Sequence, residues 1–166
     1  MPQQAVVEFQ PQPEPVNQSR IFYLVSHLAA RRDRVLEDII RPHGLTITQW
    51  RVLVGLGLLK SRTMNEVADF LALDRTTLTR TIDRLVERGL VVRAEVPHDR
   101  RLTEASLTAA GKALRLELLG QVVEVNERLT ADVDSESLAI AEQVFELMLE
   151  RLIGHRAGAR RITDLV

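Results

Sequence analysis

The chain has 166 residues, a formal net charge of −1, 45% apolar and 27% charged residues, and no cysteine. That length suits one compact unit with a core of its own. The composition excludes a membrane-embedded protein, a disulfide scaffold, a thiolate metal centre and a cysteine-based peroxide switch. The opening Met1-Pro2-Gln3-Gln4 lacks the basic stretch and apolar core of a signal peptide, so the expected compartment is the cytoplasm.

Residues 1–17 carry Pro2, Pro11, Pro13 and Pro15 among glutamines and read as a flexible arm. Ile21, Leu24, Val25, Leu28, Val35, Leu36 and Ile39 then recur at three- and four-residue spacing, which predicts a long amphipathic helix stopped by Pro42 and Gly44. Thr46 with Gln49 forms a capping-box pattern, and it opens a helix through Trp50, Val52, Leu53, Leu56 and Leu59. Thr63 with Glu66 is a second such pattern, ahead of a short helix with Val67, Ala68 and Leu71 inward. Asp74 caps the next helix, whose apolar stripe is Leu78, Ile82, Leu85 and Val86 and which Gly89 ends.

The period then changes from helix to strand. Residues 90–96 and 102–107 predict a hairpin around the turn-prone Pro97-His98-Asp99-Arg100-Arg101. Thr108 caps a long helix with Leu114, Leu118, Val122, Val125 and Leu129 on one face. A loop around Asp132 to Ser135 precedes a last helix bearing Leu138, Ala141, Phe145, Met148 and Leu152. The expected fold class is therefore mainly α with a small β-hairpin wing: a winged helix-turn-helix flanked by further helices.

The charge is unevenly spread. Between residues 75 and 101 seven arginines face four acids, whereas from residue 102 onward eleven acids outnumber seven bases. A locally basic middle suits a chain that touches a polyanion with one region. With Leu78, Ile82 and Leu85 turned inward, the opposite face of their helix carries Thr76, Arg80, Asp83, Arg84 and Glu87, with Thr77 at its edge. Threonine is short enough to let a helix sit deep in a major groove, and arginine can fork onto guanine or a phosphate. Arg100 and Arg101 near the hairpin tip suit a narrow, electronegative minor groove. Asp99, which DNA would repel, suits holding an arginine in place. The candidate DNA-binding residues are Arg75, Thr76, Thr77, Thr79, Arg80, Arg84, Asp99, Arg100 and Arg101. An ordinary solvated face and a polar turn account for the same residues without DNA, and a winged helix used only for protein assembly fits the near-neutral charge. An enzyme has little support: His98-Asp99 is the only adjacent His/Asp pair, it sits on a tip that excludes no water, and no two histidines have metal-ligand spacing.

Five segments together carry a family resemblance. They are Leu45-Thr46-Ile47-Thr48-Gln49-Trp50, the run from Leu73-Asp74-Arg75-Thr76-Thr77 to Leu85, Gly89-Leu90-Val91, Asp99-Arg100-Arg101, and Leu107-Thr108-Ala109-Ala110-Gly111. In this order and spacing the chain resembles the MarR (multiple antibiotic resistance) regulators over roughly residues 20 to 155.

The resemblance implies a homodimer that offers two winged helices to a pseudo-palindromic double-stranded operator, with no membrane partner, cofactor, metal or catalysis. It divides the chain into an arm (1–17), a dimerisation helix (18–44), a winged helix-turn-helix (45–108), dimerisation helices (109–155) and a tail (156–166). It places Thr76, Thr77 and Arg80 at the major groove, and matches Asp99 with Arg101 to the wing's Asp-x-Arg pattern, Arg101 being the minor-groove finger. It also implies repression relieved by a small aromatic or anionic effector bound where the dimer helices meet the reading head. Tyr23, His27, Trp50 and Arg51 are the candidate effector contacts, although a lone aromatic at helical spacing is more often core packing. Glu104, in Leu102-Thr103-Glu104-Ala105, departs from the small, basic or apolar residues usual there.

Overall fold

The computed structural model describes residues 18–59, 63–96 and 99–153. The predicted arm at 1–17, the tail at 156–166 and the turn residues Pro97 and His98 lie outside them. In chain order the elements are α1 (Gln18–Ile40), a 3₁₀ turn (Arg41–His43), α2 (Ile47–Leu58), α3 (Met64–Leu71), α4 (Arg75–Glu87), β1 (Val91–Val96), β2 (Asp99–Leu107), α5 (Ala109–Thr130) and α6 (Ser135–Ile153). None of the described helices is long and apolar enough to cross a membrane.

The helix boundaries follow from local chemistry. Before α2 the Gln49 backbone N–H donates to Thr46 Oγ1 (3.2 Å), and the Thr46 N–H donates back to Gln49 Oε1 (2.9 Å). Thr63 and Glu66 repeat this reciprocal cap before α3. These bonds satisfy N–H groups that a helix cannot pair within itself. Thr108 Oγ1 accepts from the Gly111 N–H (3.0 Å) and donates to the Gly89 carbonyl (2.7 Å), so one hydroxyl caps α5 and ties it to the end of α4. Pro42 sits in the 3₁₀ turn and Gly44, at φ +68°, closes it with a left-handed residue.

The core is the seam where these helices meet. Leu36 and Ile40 of α1, Val52, Leu53 and Leu56 of α2, Val67 of α3, Leu78, Ile82 and Leu85 of α4, and Leu118 of α5 are all buried. Val86, expected on the inward stripe of α4, lies at the edge of that stripe and is 38% exposed. Of the α5 stripe, Leu118, Val122 and Val125 are buried while Leu129 faces solvent.

The wing pairs β1 with β2 in antiparallel register, from Val91↔Leu107 to Glu95↔Thr103. The next pair is Val96↔Asp99, so the backbone of residues 100 to 102 forms a bulge on β2. This corrects the expected hairpin: Asp99, Arg100 and Arg101 belong to a strand that starts earlier, because pairing resumes beyond the bulge. Glu104 does not interrupt the strand. It opposes Ala94 and also bridges to Thr63, which adds a third, single-residue contact to the ribbon.

The turn between α3 and α4 contains the only non-glycine residue with positive φ among those described, Ala72 at φ 51°. Its Cβ opposes that conformation, while its N–H is held by the Ala68 and Asp69 carbonyls. Ala72→Gly should therefore raise the unfolding free energy by about 0.5–1 kcal/mol. Urea unfolding at fixed protein concentration checks it, and a loss of stability would contradict the strain assigned here.

Candidate nucleic-acid interface

The site is built on α4. Leu78, Ile82 and Leu85 are fully buried, and at 100° per residue that sets the helix's rotation. Thr76, Thr79, Arg80 and Arg84 are consequently exposed, as are Arg75 and Thr77 in the first turn. Arg80 and Arg84 stand one turn apart and take no ion pair among the described residues. Asp83, on the same side, is 48% exposed at its side chain and is neutralised by Arg93 of β1 (Nη1 to Oδ1, 2.5 Å).

Asp74 organises the amino end. The Thr77 hydroxyl donates to Asp74 Oδ2 (2.6 Å) and the Thr77 N–H to Oδ1 (2.9 Å). The hydroxyl bond, followed by the backbone one, holds the Asp74 carboxyl below its usual value. A carboxylate with a depressed pKa stabilises its helix above the ordinary carboxylate range and loses that effect as pH falls through the lowered value. The cap is thus complete at neutral pH. It also commits the Thr77 proton, leaving that side chain an oxygen acceptor and a methyl group to offer a partner. Arg75 is tethered to Asn65 Oδ1 of α3, so its guanidinium is held against the preceding helix.

The wing is braced against α4 by Arg93, which Val91, Arg93 and Glu95 alternation places on the face shared with Ala105. Besides Asp83 it reaches the Thr79 carbonyl (3.2 Å). This clamp joins residues ten apart on two different elements. The expected arginine partner, Asp99, has its side chain outside those described, and between the wing and α4 Asp83 holds Arg93. The side chains of Asp99, Arg100 and Arg101 lie outside those described, and their backbone runs at the tip end of β2.

The four expected effector contacts have different surroundings in the structure. Tyr23 and His27 pack on each other on α1, ring centroids 4.2 Å apart, and Tyr23 is 62% exposed. Trp50 is buried in the core of the head. Arg51 is engaged by Asp33 of α1 (2.6 Å), a link between the first helix and α2. No cluster of acids and histidines able to hold a metal occurs among the described residues.

A helix-turn-helix with a hairpin wing beside its second helix defines a winged-helix protein. Residues 43–102 match the family model described as MarR family. The chain is 29% identical over 133 residues to the multiple antibiotic resistance protein MarR of Escherichia coli (strain K12), covering 78% of this chain and 89% of that protein. It is 30% identical over 112 residues to the uncharacterized HTH-type transcriptional regulator YwoH of Bacillus subtilis (strain 168), covering 68% and 81%. Among solved structures, a mutant MarR from E. coli complexed with operator DNA superimposes with a TM-score of 0.70 at 28% identity, covering 78% of this chain and 94% of that one. The chain belongs to the MarR family of transcriptional regulators.

The wing clamp has a measurable size. A double-mutant cycle of Arg93→Ala and Asp83→Ala should return a coupling of about 0.2–1 kcal/mol, the range for a largely exposed pair. Thermal unfolding of the four variants measures it, and a repulsive or vanishing coupling would contradict the contact.

Proposed function

We propose that the chain is a homodimeric, sequence-specific operator-binding repressor whose hold on DNA is released by a small aromatic or anionic effector. The observation that carries the DNA part is the face of α4: Thr76, Arg80 and Arg84 exposed together, with the neighbouring acid Asp83 already neutralised by the wing. In this reading Thr76, Thr77 and Arg80 enter the major groove, and Arg75, Thr79 and Arg84 flank them. The backbone N–H groups of the α4 amino end meet a phosphate, while Asp99, Arg100 and Arg101 work at the minor groove. The E. coli relative complexed with operator DNA supports it.

Dimerisation is supported by what one chain leaves uncovered. Phe22, Tyr23, Leu24 and Leu28 of α1 are exposed, and so are Ile140, Phe145, Leu147 and Leu152 of α6. Among the described side chains of α6, residues 135–152, none is buried. A lone 19-residue helix is marginal in water unless an apolar face packs on something, and a second copy supplies that cover.

The effector part rests on the family and on the links between lobe and head. Arg88 donates to the His43 and Gly44 carbonyls (2.7 Å each), joining the end of α4 to the turn after α1. Arg51 joins α2 to Asp33 on α1, and Arg32 joins α1 to Asn126 on α5. An effector that prefers a dimer with the wrong spacing of its two α4 helices shifts the population away from DNA.

The test uses fragments of the source genome retained by the purified protein. Arg80→Ala should weaken binding to the selected fragment by about 1–3 kcal/mol and relax its base preference. An unchanged affinity and preference, or sedimentation as a single copy, would contradict the reading.

A further inference from the structure

Thr77 stands in the first turn of α4, at the edge of the outward face and exposed to solvent. Its one hydroxyl proton is already committed. The hydroxyl donates to Asp74 Oδ2 at 2.6 Å, and the backbone N–H donates to Asp74 Oδ1 at 2.9 Å. These two bonds hold the Asp74 carboxyl below its usual value, so the acceptor that takes the proton stays ionised at neutral pH. The Thr81 hydroxyl in turn donates to the Thr77 carbonyl at 2.7 Å, one turn further along the helix.

A free threonine hydroxyl is both donor and acceptor, and so it suits any base edge. Thr77 lacks that latitude. With its proton on Asp74 it presents a lone pair on Oγ1 and a γ-methyl group. A G·C pair offers the major groove guanine's O6 and N7 acceptors, which find no donor on Thr77 and are repelled by the Asp74 carboxylate beside it. Its cytosine offers an amino donor but no methyl group. A T·A pair offers both complements: the thymine C5 methyl for the γ-methyl, and the adenine amino group for Oγ1.

We infer that Thr77, held by Asp74, selects a T·A pair in the major groove, with the thymine methyl as its chief contact. This rests on α4 being the helix that enters the groove, as proposed above, and adds which base pair its first turn accepts. The amino-terminal residues of a recognition helix are the ones that reach base edges. Asp74 is a positioning residue here, since it acts through the Thr77 hydroxyl.

The test uses a genomic fragment retained by the intact protein, made as a labelled duplex in which each thymine in turn is replaced by deoxyuridine. That change removes one methyl group and leaves the hydrogen-bonding edge intact. Fluorescence anisotropy should show the wild-type chain weakened about fourfold at one thymine of each half-site, the size of one buried methyl group. Thr77→Ser keeps the hydroxyl that Asp74 binds and loses the γ-methyl, so it should not respond to the same replacement. With that pair changed to C·G, 5-methylcytosine in place of cytosine should restore about fourfold to the wild type and nothing to Thr77→Ser. Asp74→Ser keeps a cap for the helix while freeing the Thr77 proton, so its loss of affinity on the change to C·G should shrink. The inference is overturned if no thymine is sensitive, if wild type and Thr77→Ser respond alike at every thymine, if 5-methylcytosine restores nothing to the wild type, or if Asp74→Ser discriminates against C·G as the wild type does. Retention of no DNA fragment at all would remove the reading of α4 itself, and the Thr77 assignment with it.

Discussion

The rotational setting of α4 is the constraint from which the rest of the molecule follows. Leu78, Ile82 and Leu85 have no exposed surface, and they are spaced so that only one orientation buries all three. Once that stripe is locked into the seam with Leu53 and Leu56 of α2, the helix has no choice about what it shows to solvent. Threonine and arginine come outward together on the amino half. The polar face is thus a consequence of apolar packing, and the energy that holds it comes from the core and not from the charges themselves.

The ion pairs have a different task. Arg93 with Asp83 and Arg51 with Asp33 are partly exposed, and such contacts contribute little to stability. What they do is geometric. Arg93 sets the angle of the wing against α4, and Arg51 ties α2 to the first helix. The Arg88 fork onto the carbonyls of His43 and Gly44 satisfies backbone acceptors while joining the far end of α4 to the turn that leaves α1. The reading head is therefore fastened at both ends: by Asp74 and the helix-turn at the start of α4, and by Arg88 and Thr108 at its close.

Local chemistry made much of this legible beforehand. Thr46 with Gln49, Thr63 with Glu66, Asp74 and Thr108 each declare a helix start within four residues, and every one of those caps is made. The buried stripe of α4 was legible for the same reason, apart from Val86 at its margin. Contacts between distant elements were not. Nothing local marks Arg93 as the partner of Asp83, because the pairing depends on how β1 crosses α4. The bulge that carries Arg100 and Arg101 into β2 depends on cross-strand register, which alternation alone does not specify. Helical spacing alone did not separate a core aromatic from a surface one: Trp50 is buried in the core, whereas Tyr23 is exposed on α1. The packing of the Arg115 side chain against Gly57 was invisible, since it needs a glycine on α2 to meet an arginine fifty-eight positions later on α5.

The central claim is that the outward face of α4 with its wing meets the phosphates of duplex DNA. The most direct measurement is fluorescence anisotropy of a labelled duplex against intact protein over a series of salt concentrations. The account predicts that log K falls linearly with log salt, by roughly 0.9 for each phosphate neutralised, with several phosphates in each complex. A binding constant that does not respond to salt, or no binding to duplex even at low ionic strength, would contradict it.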